Sequence, residues 1–175
     1  FFFFFLLLVT GFVIVEAQSD SLSGKSQAHS AQHEARQQRR AERMAQYEHY
    51  VDSLVRSHNY RFVPETMQQL PAGIMRNLQN PNYEIIAWDQ AVDVCMPFLK
   101  GYTPPYYFVV FNYVLSSVQG YTVEQTPEGW HITFQSTMFS ATTYTFTLEI
   151  YARYGGATLT ISSPFYNSVQ YTGNI

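Results

Sequence analysis

The side chains that could do chemistry near neutral pH are few and scattered. His131 is the only histidine in the second half of the chain, and Asp89 and Asp93 stand four residues apart around a predicted turn. An enzyme needs a nucleophile beside a base, a pair of carboxylates, or metal ligands held by rigid elements. His131 alternates with Trp130 and Ile132, so it is predicted to face outward on a polar strand face, and turn chemistry accounts for the aspartates. We therefore predict no catalytic residue.

Metal ligands and reactive thiols are no better grouped. His29 and His33 lie four residues apart, but Glu34 is the only further ligand type close by, so solvated histidines are predicted. Cys95 is the single cysteine, which excludes an internal disulfide. No Lys or His stands near Cys95 to lower its pKa, and a buried thiol packed as a small apolar side chain is expected. We predict no metal site and no cofactor.

The first residues have the composition of an export signal. "FFFFFLLLVTGFVIV" carries no charge and is too short to span a bilayer comfortably, and "VEA" places small residues at the positions that a signal peptidase reads. Residues 1–17 are predicted to be a signal peptide cleaved near Ala17, with a retained N-terminal anchor as the alternative. No cysteine follows this run, so no lipoprotein-type anchor is expected. The mature chain is predicted to be periplasmic or secreted, without a transmembrane segment.

Residues 18–58 form a polar segment with helical periodicity. Four arginines recur at i, i+3, i+4 and i+7 and so share one helix face, and an apolar row continues much of that face toward the C-terminus. We predict that the half from about Met44 packs on the following domain while the first half projects. The arginines are predicted either to contact a partner or an envelope surface or to be simply solvated, and nucleic acid is not expected outside the cell. The arginines are Arg36, Arg39, Arg40 and Arg43, and the apolar row is Met44, Tyr47, Val51 and Leu54.

Residues 59–175 have the signature of an all-β domain, because aromatic and β-branched residues alternate with polar ones between regularly spaced turns. We predict an antiparallel meander of about eight or nine strands that forms a small barrel, half-barrel or sandwich, preceded by one N-terminal α-helix. "PPYYFVVFNYVL" is a strand whose unbroken apolar run predicts burial on both faces.

The stretch "TYTFTLEIYARYGGATLTIS" predicts a hairpin. A two-residue turn at Gly155 and Gly156 would place Tyr154 opposite Ala157 and Ile150 opposite Ile161. The apolar rows of both strands then share one face. This face is predicted to be core, and it becomes the wall of a pocket only if the sheet encloses more space than side chains fill.

The β region is rich in rings and poor in charge, which is typical of a binding module as well as of a packed core. Tyrosines can stack on sugars or line an apolar cavity, and the alternative is ordinary cross-strand packing. The candidate ligand-binding rings are Tyr102, Tyr106, Tyr107, Tyr113 and Tyr151.

Several segments together resemble a Bacteroidetes envelope family, domain-of-unknown-function family 4251. They are "LVRSHNYRF", "QLPAGIMRNL", "MPF", "GWHITF", "YTFTLEI" followed by "GGATLTISS", and the ending "SVQYTGNI". The resemblance spans about Leu54 to Ile175. It implies a secreted or lipid-anchored protein with no assigned activity and supplies no catalytic residue. This chain departs from the family in lacking a lipid-bearing cysteine and in reading "MPFLKG" where the family has a Leu-Pro-Tyr-Phe-Gly pattern.

The sequence thus predicts a non-catalytic secreted or periplasmic β domain that binds a small apolar or glycan ligand. The alternative is a structural or interaction protein that uses the N-terminal helix to dock a partner or an envelope surface.

Overall fold

The computed structural model describes residues 2–89, 91–101, 103–115, 118–138, 142–153 and 155–175, with side chains from His29 onward except that of Met138. One helix, α1 (Phe2–Arg56), precedes the strands. The chain divides into two compact units, residues 1–44 and 45–175. In the part of the chain whose side chains are described, no helix is both long enough and apolar enough to cross a lipid bilayer.

Ten strands are found in the described residues, and every pairing between them is antiparallel. They are β1 (Asn59–Gln69), β2 (Arg76–Asn77), β3 (Glu84–Trp88), β4 (Ala91–Lys100), β5 (Tyr107–Leu115), β6 (Gln119–Thr126), β7 (Gly129–Met138), β8 (Thr142–Tyr151), β9 (Gly156–Ser163) and β10 (Tyr166–Asn174).

Nine of these strands form one path in the order β5-β4-β3-β1-β10-β9-β8-β7-β6, and β2 pairs with β1. The path consists of two meanders that are joined where β1 pairs with β10. The long strand β1 makes this possible because its first residues pair with β3 and its last with β10, with a register shift between Pro64 and Thr66. The sheet curls, since rings of Phe98 on β4 and Tyr144 on β8 meet with centroids 5.6 Å apart. The predicted helix followed by a curled antiparallel half-barrel is confirmed.

The alternating rows build the core. Phe146, Leu148 and Ile150 on β8 are at most 1% exposed, and Phe134 on the neighbouring β7 stacks on Phe146 with ring centroids 4.7 Å apart. Because successive strand residues point to opposite faces, one row of each strand enters the core while threonines and charged residues occupy the other. The prediction that the β8 row is core is confirmed.

The predicted register of the β8–β9 hairpin is wrong. Ile150 lies opposite Ala157, not Ile161, because the connection is longer than a two-residue turn. Gly155 adopts a φ of 69°, and a Cβ there would lie 2.5 Å from the Tyr47 hydroxyl of α1. The helix therefore packs against this loop. The error is an even number of residues, so both apolar rows still face the core.

The prediction that β5 is buried on both faces is also wrong. β5 stands at one end of the strand path. Phe111 is fully buried, whereas Phe108 is 57% exposed and Val114 is 65% exposed. The inward row of β5 thus reaches the core, while its outward row is exposed to solvent although it is apolar.

The C-terminal turns of α1 cover one end of the curled sheet. Val51 and Val55 are fully buried, and Tyr47 and Leu54 pack against the same core, as predicted for Tyr47, Val51 and Leu54. Met44, predicted to begin this row, is 45% exposed.

Polar contacts hold these helix turns to the sheet. Trp130 donates its Nε1 hydrogen to Asp52 Oδ1 at 2.7 Å, and the Arg56 guanidinium lies 5.1 Å from the centre of the same indole ring. Glu48 and Arg153 form an ion pair at 3.4 Å. We call this end of the sheet the helix end and the opposite end, where β8 and β10 begin and β4 ends, the distal end.

Candidate ligand site at the distal end

The distal end contains a buried hydroxyl group that has no partner among the described residues. Tyr144, at the start of β8, is fully buried, and its hydroxyl oxygen makes no hydrogen bond to any described group. Buried polar atoms in folded proteins are almost always bonded, since leaving one unpaired costs about 1–3 kcal/mol. The Tyr144 hydroxyl is therefore a position where a further hydrogen-bonding group would stabilise the protein.

Rings surround Tyr144. Its ring meets Phe98 and Phe111 edge to face, with centroids 5.6 and 5.0 Å away. Burial raises the pKa of the Tyr144 phenol above its ordinary value, and the neighbouring phenols of Tyr166 and Tyr113 raise it further. The hydroxyl thus stays protonated at neutral pH and can both donate and accept a hydrogen bond.

Two polar residues frame this end of the sheet. Gln69, the last residue of β1, is 3% exposed and donates from Nε2 to the carbonyl oxygen of Gly101 at 3.0 Å. It therefore fixes the chain where β4 ends. Lys100 places its ammonium 5.5 Å from the centre of the Tyr166 ring, which is within the range of a cation–π contact. A mainly apolar interior with a few polar groups is the usual composition of a small-molecule site.

The tyrosines predicted to bind a ligand, as far as the structure describes them, lie in different parts of the sheet. Tyr106 and Tyr113 pack against the core, and Tyr107 is 71% exposed. Tyr102 lies outside the described residues. Tyr151 is on the outer face at the helix end, where its hydroxyl donates to Glu149 at 3.2 Å. Of the predicted set, Tyr113 lies close enough for its phenol to contribute to the raised pKa of Tyr144.

Sequence reasoning missed Tyr144 as a site residue because it belongs to an apolar row. A signal was nevertheless present in that row. At Tyr144 the row contains a phenol, whereas its other members are aliphatic or phenyl groups. A phenol that is predicted to be buried requires a partner for its hydroxyl.

Tyr151 contributes to a separate cleft of about 330 Å³ on the outer face at the helix end. His131 faces outward there, as predicted, and lies 3.9 Å from the Glu149 carboxylate. The remaining residues that line the cleft are Thr126, Pro127, Glu128, Trp130, Glu149 and Ile150. Trp130 already donates to Asp52, and Glu149 already accepts from Tyr151. These polar groups of the cleft are therefore occupied by contacts within the protein.

The other candidate residues lie apart from one another. Asp89 adopts a φ of 52° in the β3–β4 connection, consistent with a turn role, and Asp93 lies on β4 opposite Ile86 of β3. Among the residues whose side chains are described, no group of three or more His, Cys, Asp and Glu is arranged to hold a metal ion. The four arginines of the basic helix face are all exposed.

Cys95 is half-buried on the outer face of β4, so the prediction of a buried thiol is wrong. Cys95 points away from the core, whereas its neighbours Val94 and Met96 point into the core and are buried. Desolvation raises the pKa of the Cys95 thiol above its ordinary value, and the nearby carboxylates of Asp93 and Glu84 raise it further.

We expect Cys95 to react slowly with a neutral alkylating reagent, because the thiolate is the nucleophile and its fraction is reduced at pH 8. Alkylation by iodoacetamide followed by mass spectrometry should be several-fold slower than alkylation of free cysteine and should accelerate at a higher pH. Asp93→Asn should increase the rate by removing one of the two carboxylates. A rate at pH 8 equal to that of free cysteine would contradict this assignment.

These features define a class of protein: a curled antiparallel β domain that is covered at one end by a helix and has an aromatic cluster with an unpaired hydroxyl at the other. The chain belongs to the DUF4251 family, a domain of unknown function, whose family model matches residues 42–175. The resemblance seen in the sequence is thereby confirmed.

A solved structure supports the fold. The chain is similar to a DUF4251 family protein from Bacteroides eggerthii DSM 20697 at 13% sequence identity and a TM-score of 0.56, over 73% of this chain and 85% of that one. No protein of curated function matches the sequence.

Proposed function

We propose that this protein is a non-catalytic, exported β domain that binds a small, mainly apolar ligand at its distal end. The ligand carries at least one hydrogen-bonding group, which pairs with the Tyr144 hydroxyl. The single observation that carries this proposal is that this hydroxyl is fully buried and makes no hydrogen bond to any group in the part of the chain that the structure describes. The apolar N-terminal run and the following small residues support export to the periplasm or the exterior.

The surroundings of the hydroxyl favour an apolar ligand over a glycan. Phe98, Phe111 and Tyr144 meet largely edge to face or stacked on one another, so their faces are engaged within the cluster. A sugar needs many hydrogen-bond partners along its ring, and the cluster offers one unpaired hydroxyl among apolar rings. An apolar body with one polar group matches that arrangement.

A neutral lipophilic probe tests the proposal. The fluorescence of N-phenylnaphthylamine should rise to saturation when it is titrated with the purified exported protein, and a glycan array should remain blank. Tyr144→Phe should weaken probe binding up to about tenfold, because one neutral hydrogen bond contributes about 0.5–1.5 kcal/mol. Tyr50→Phe is a matched control, since Tyr50 is 57% exposed on the helix.

If the probe bound the wild type and Tyr144→Phe with equal affinity, the ligand would bind elsewhere on the protein. The proposal would be abandoned if neither the probe nor any glycan bound saturably.

A second candidate function is interaction with an envelope partner through the helix. It is supported by the exposure of all four arginines on the basic face of α1, at positions 36, 39, 40 and 43. Exposed cations spaced along one helix face attract an anionic surface or an acidic protein at low ionic strength.

Deleting residues 18–43 tests this candidate and has a definite expectation for stability. The thermal midpoint of the β domain should remain nearly unchanged, because the buried helix residues Val51 and Val55 are retained. Association with anionic vesicles or a captured envelope partner should be lost. Circular dichroism melting and vesicle co-sedimentation measure the two effects, and unfolding on deletion would instead make residues 18–43 part of the folded domain.

A further inference from the structure

The two outermost strands of the sheet differ in how their edges are protected. β6 has a register shift between Gln119 and Thr122, a left-handed Gly120 with φ of 59°, and the exposed Glu124. Bulges, glycines and charges of this kind prevent another strand from adding to an edge. β6 is thus an edge that resists pairing.

β5 has none of these devices. It reads YFVVFNYVL, with no charge, glycine or proline, and all nine of its residues pair with β4 in an unbroken register. Phe108 and Val114, which point away from the core, are 57% and 65% exposed, and Val110 between them is 38% exposed. A long, regular, apolar edge strand of this type is a template for pairing with a further strand.

We propose that β5 pairs antiparallel with β5 of a second copy of this chain, about a two-fold axis through the middle of the strand. In this register Tyr107 lies opposite Leu115 of the second copy, and the sheets of the two copies become continuous. The interface is isologous, so each residue that contributes to it does so twice.

The sequence of β5 suits a second copy because it is complementary to itself in this register. Phe108 lies opposite Val114 of the second copy, and Val110 lies opposite Asn112. Aromatic and β-branched residues opposite one another are favourable cross-strand pairs, and no charge is placed opposite another charge anywhere along the strand. The second copy also supplies an edge of equal length, so no residue of β5 extends beyond its partner.

The size of the contact sets the expected strength. Pairing along one strand buries an area at the low end of protein interfaces, below roughly 1,200 Å². We therefore expect a reversible dimer that forms in the micromolar range and dissociates on dilution. This inference is independent of the ligand proposed at the distal end.

Sedimentation velocity of the purified exported protein tests the dimer. The weight-average mass of the wild type should rise toward twice the monomer mass as concentration increases. Val110→Lys should weaken the dimer at least tenfold, because the two-fold axis brings two like charges close together. Val114→Lys provides a second variant, nearer the end of the strand, in case the first fails to fold.

Thr122→Lys is the matched control because it adds the same charge to the exposed β6 edge. It should leave the dimer unchanged. Hydrogen exchange gives an independent reading, since amides of β5 should become more protected at high concentration while those of β6 do not. A wild type that stays monomeric at every concentration, or a dimer that is equally strong in both β5 lysine variants, would overturn the proposal.

Discussion

Replacing Val51 with aspartate should lower the free energy of unfolding of the β domain by about 3–5 kcal/mol, the largest effect we expect from a single substitution. Val51 is fully buried where the helix covers the end of the sheet. A carboxylate at this position would lose its hydration in a core of apolar side chains. For a domain of this size, the thermal midpoint should fall by roughly 10 °C or more.

Gln46→Asp is the matched control for Val51→Asp. Gln46 lies on the same helix but is exposed, so the same charge should change the thermal midpoint by only a few degrees. Thermal melting followed by circular dichroism measures both variants. Equal midpoints for the two would show that the helix does not cover the core as described.

Replacing Tyr171 with phenylalanine should cost about 1–3 kcal/mol, the second largest effect. Tyr171 is fully buried on β10 and donates its hydroxyl hydrogen to the carbonyl oxygen of Pro97 on β4. Removing the hydroxyl leaves that carbonyl without its donor in the core. Urea denaturation, with the free energy of unfolding extrapolated to water, measures the loss.

Tyr144→Phe is the matched comparison and should behave in the opposite way. Its hydroxyl has no partner among the described residues, so removing it should leave the ligand-free domain equally stable or more stable. The same chemical change therefore has opposite effects at two fully buried tyrosines. A loss of more than about 1 kcal/mol in ligand-free Tyr144→Phe would mean that the hydroxyl is bonded within the protein.

The wild type and Tyr171→Phe should also differ in stability at alkaline pH. Burial raises the pKa of Tyr171 well above its ordinary value in the folded state. The unfolded phenol loses its proton first as the pH rises past about 10, so the contribution of Tyr171 is fully present below that pH and is lost above it. Tyr171→Phe should therefore have a shallower loss of stability above that pH than the wild type.

The alternation of residues was enough to predict the faces of the strands but not their register. Phe146, Leu148 and Ile150 enter the core as their spacing requires. Ile150 pairs with Ala157 across a connection longer than a two-residue turn, and Tyr47, more than a hundred residues away in the chain, packs against that loop at Gly155. Local turn propensities contain no information about such a contact.

β5 shows a second limit of prediction from sequence, which concerns the burial of an apolar strand. Its apolar run was interpreted as burial on both faces, yet it is an edge strand. Composition reports what a strand tends to bury and does not distinguish a neighbour in the same chain from one in another molecule. If β5 pairs with a second copy, part of the predicted burial is recovered in the dimer.

The site was the least predictable part. The sequence predicts five tyrosines as rings that stack on a sugar or line an apolar cavity, whereas the distinctive group is a hydroxyl inside the core, on Tyr144. Whether a buried phenol has a partner depends on which strands the curled sheet brings together, here β4 and β5 against β8. That arrangement follows from the strand order, which the sequence pattern does not specify.

Native mass spectrometry of the gently purified exported protein, compared with the same sample after denaturation, tests the ligand proposal most directly. We predict a reproducible extra mass on the native wild type that is lost on denaturation and is reduced or absent in Tyr144→Phe. Bare protein mass in both native samples would contradict the account and would leave the Tyr144 hydroxyl as an unpaired group of an ordinary packed core.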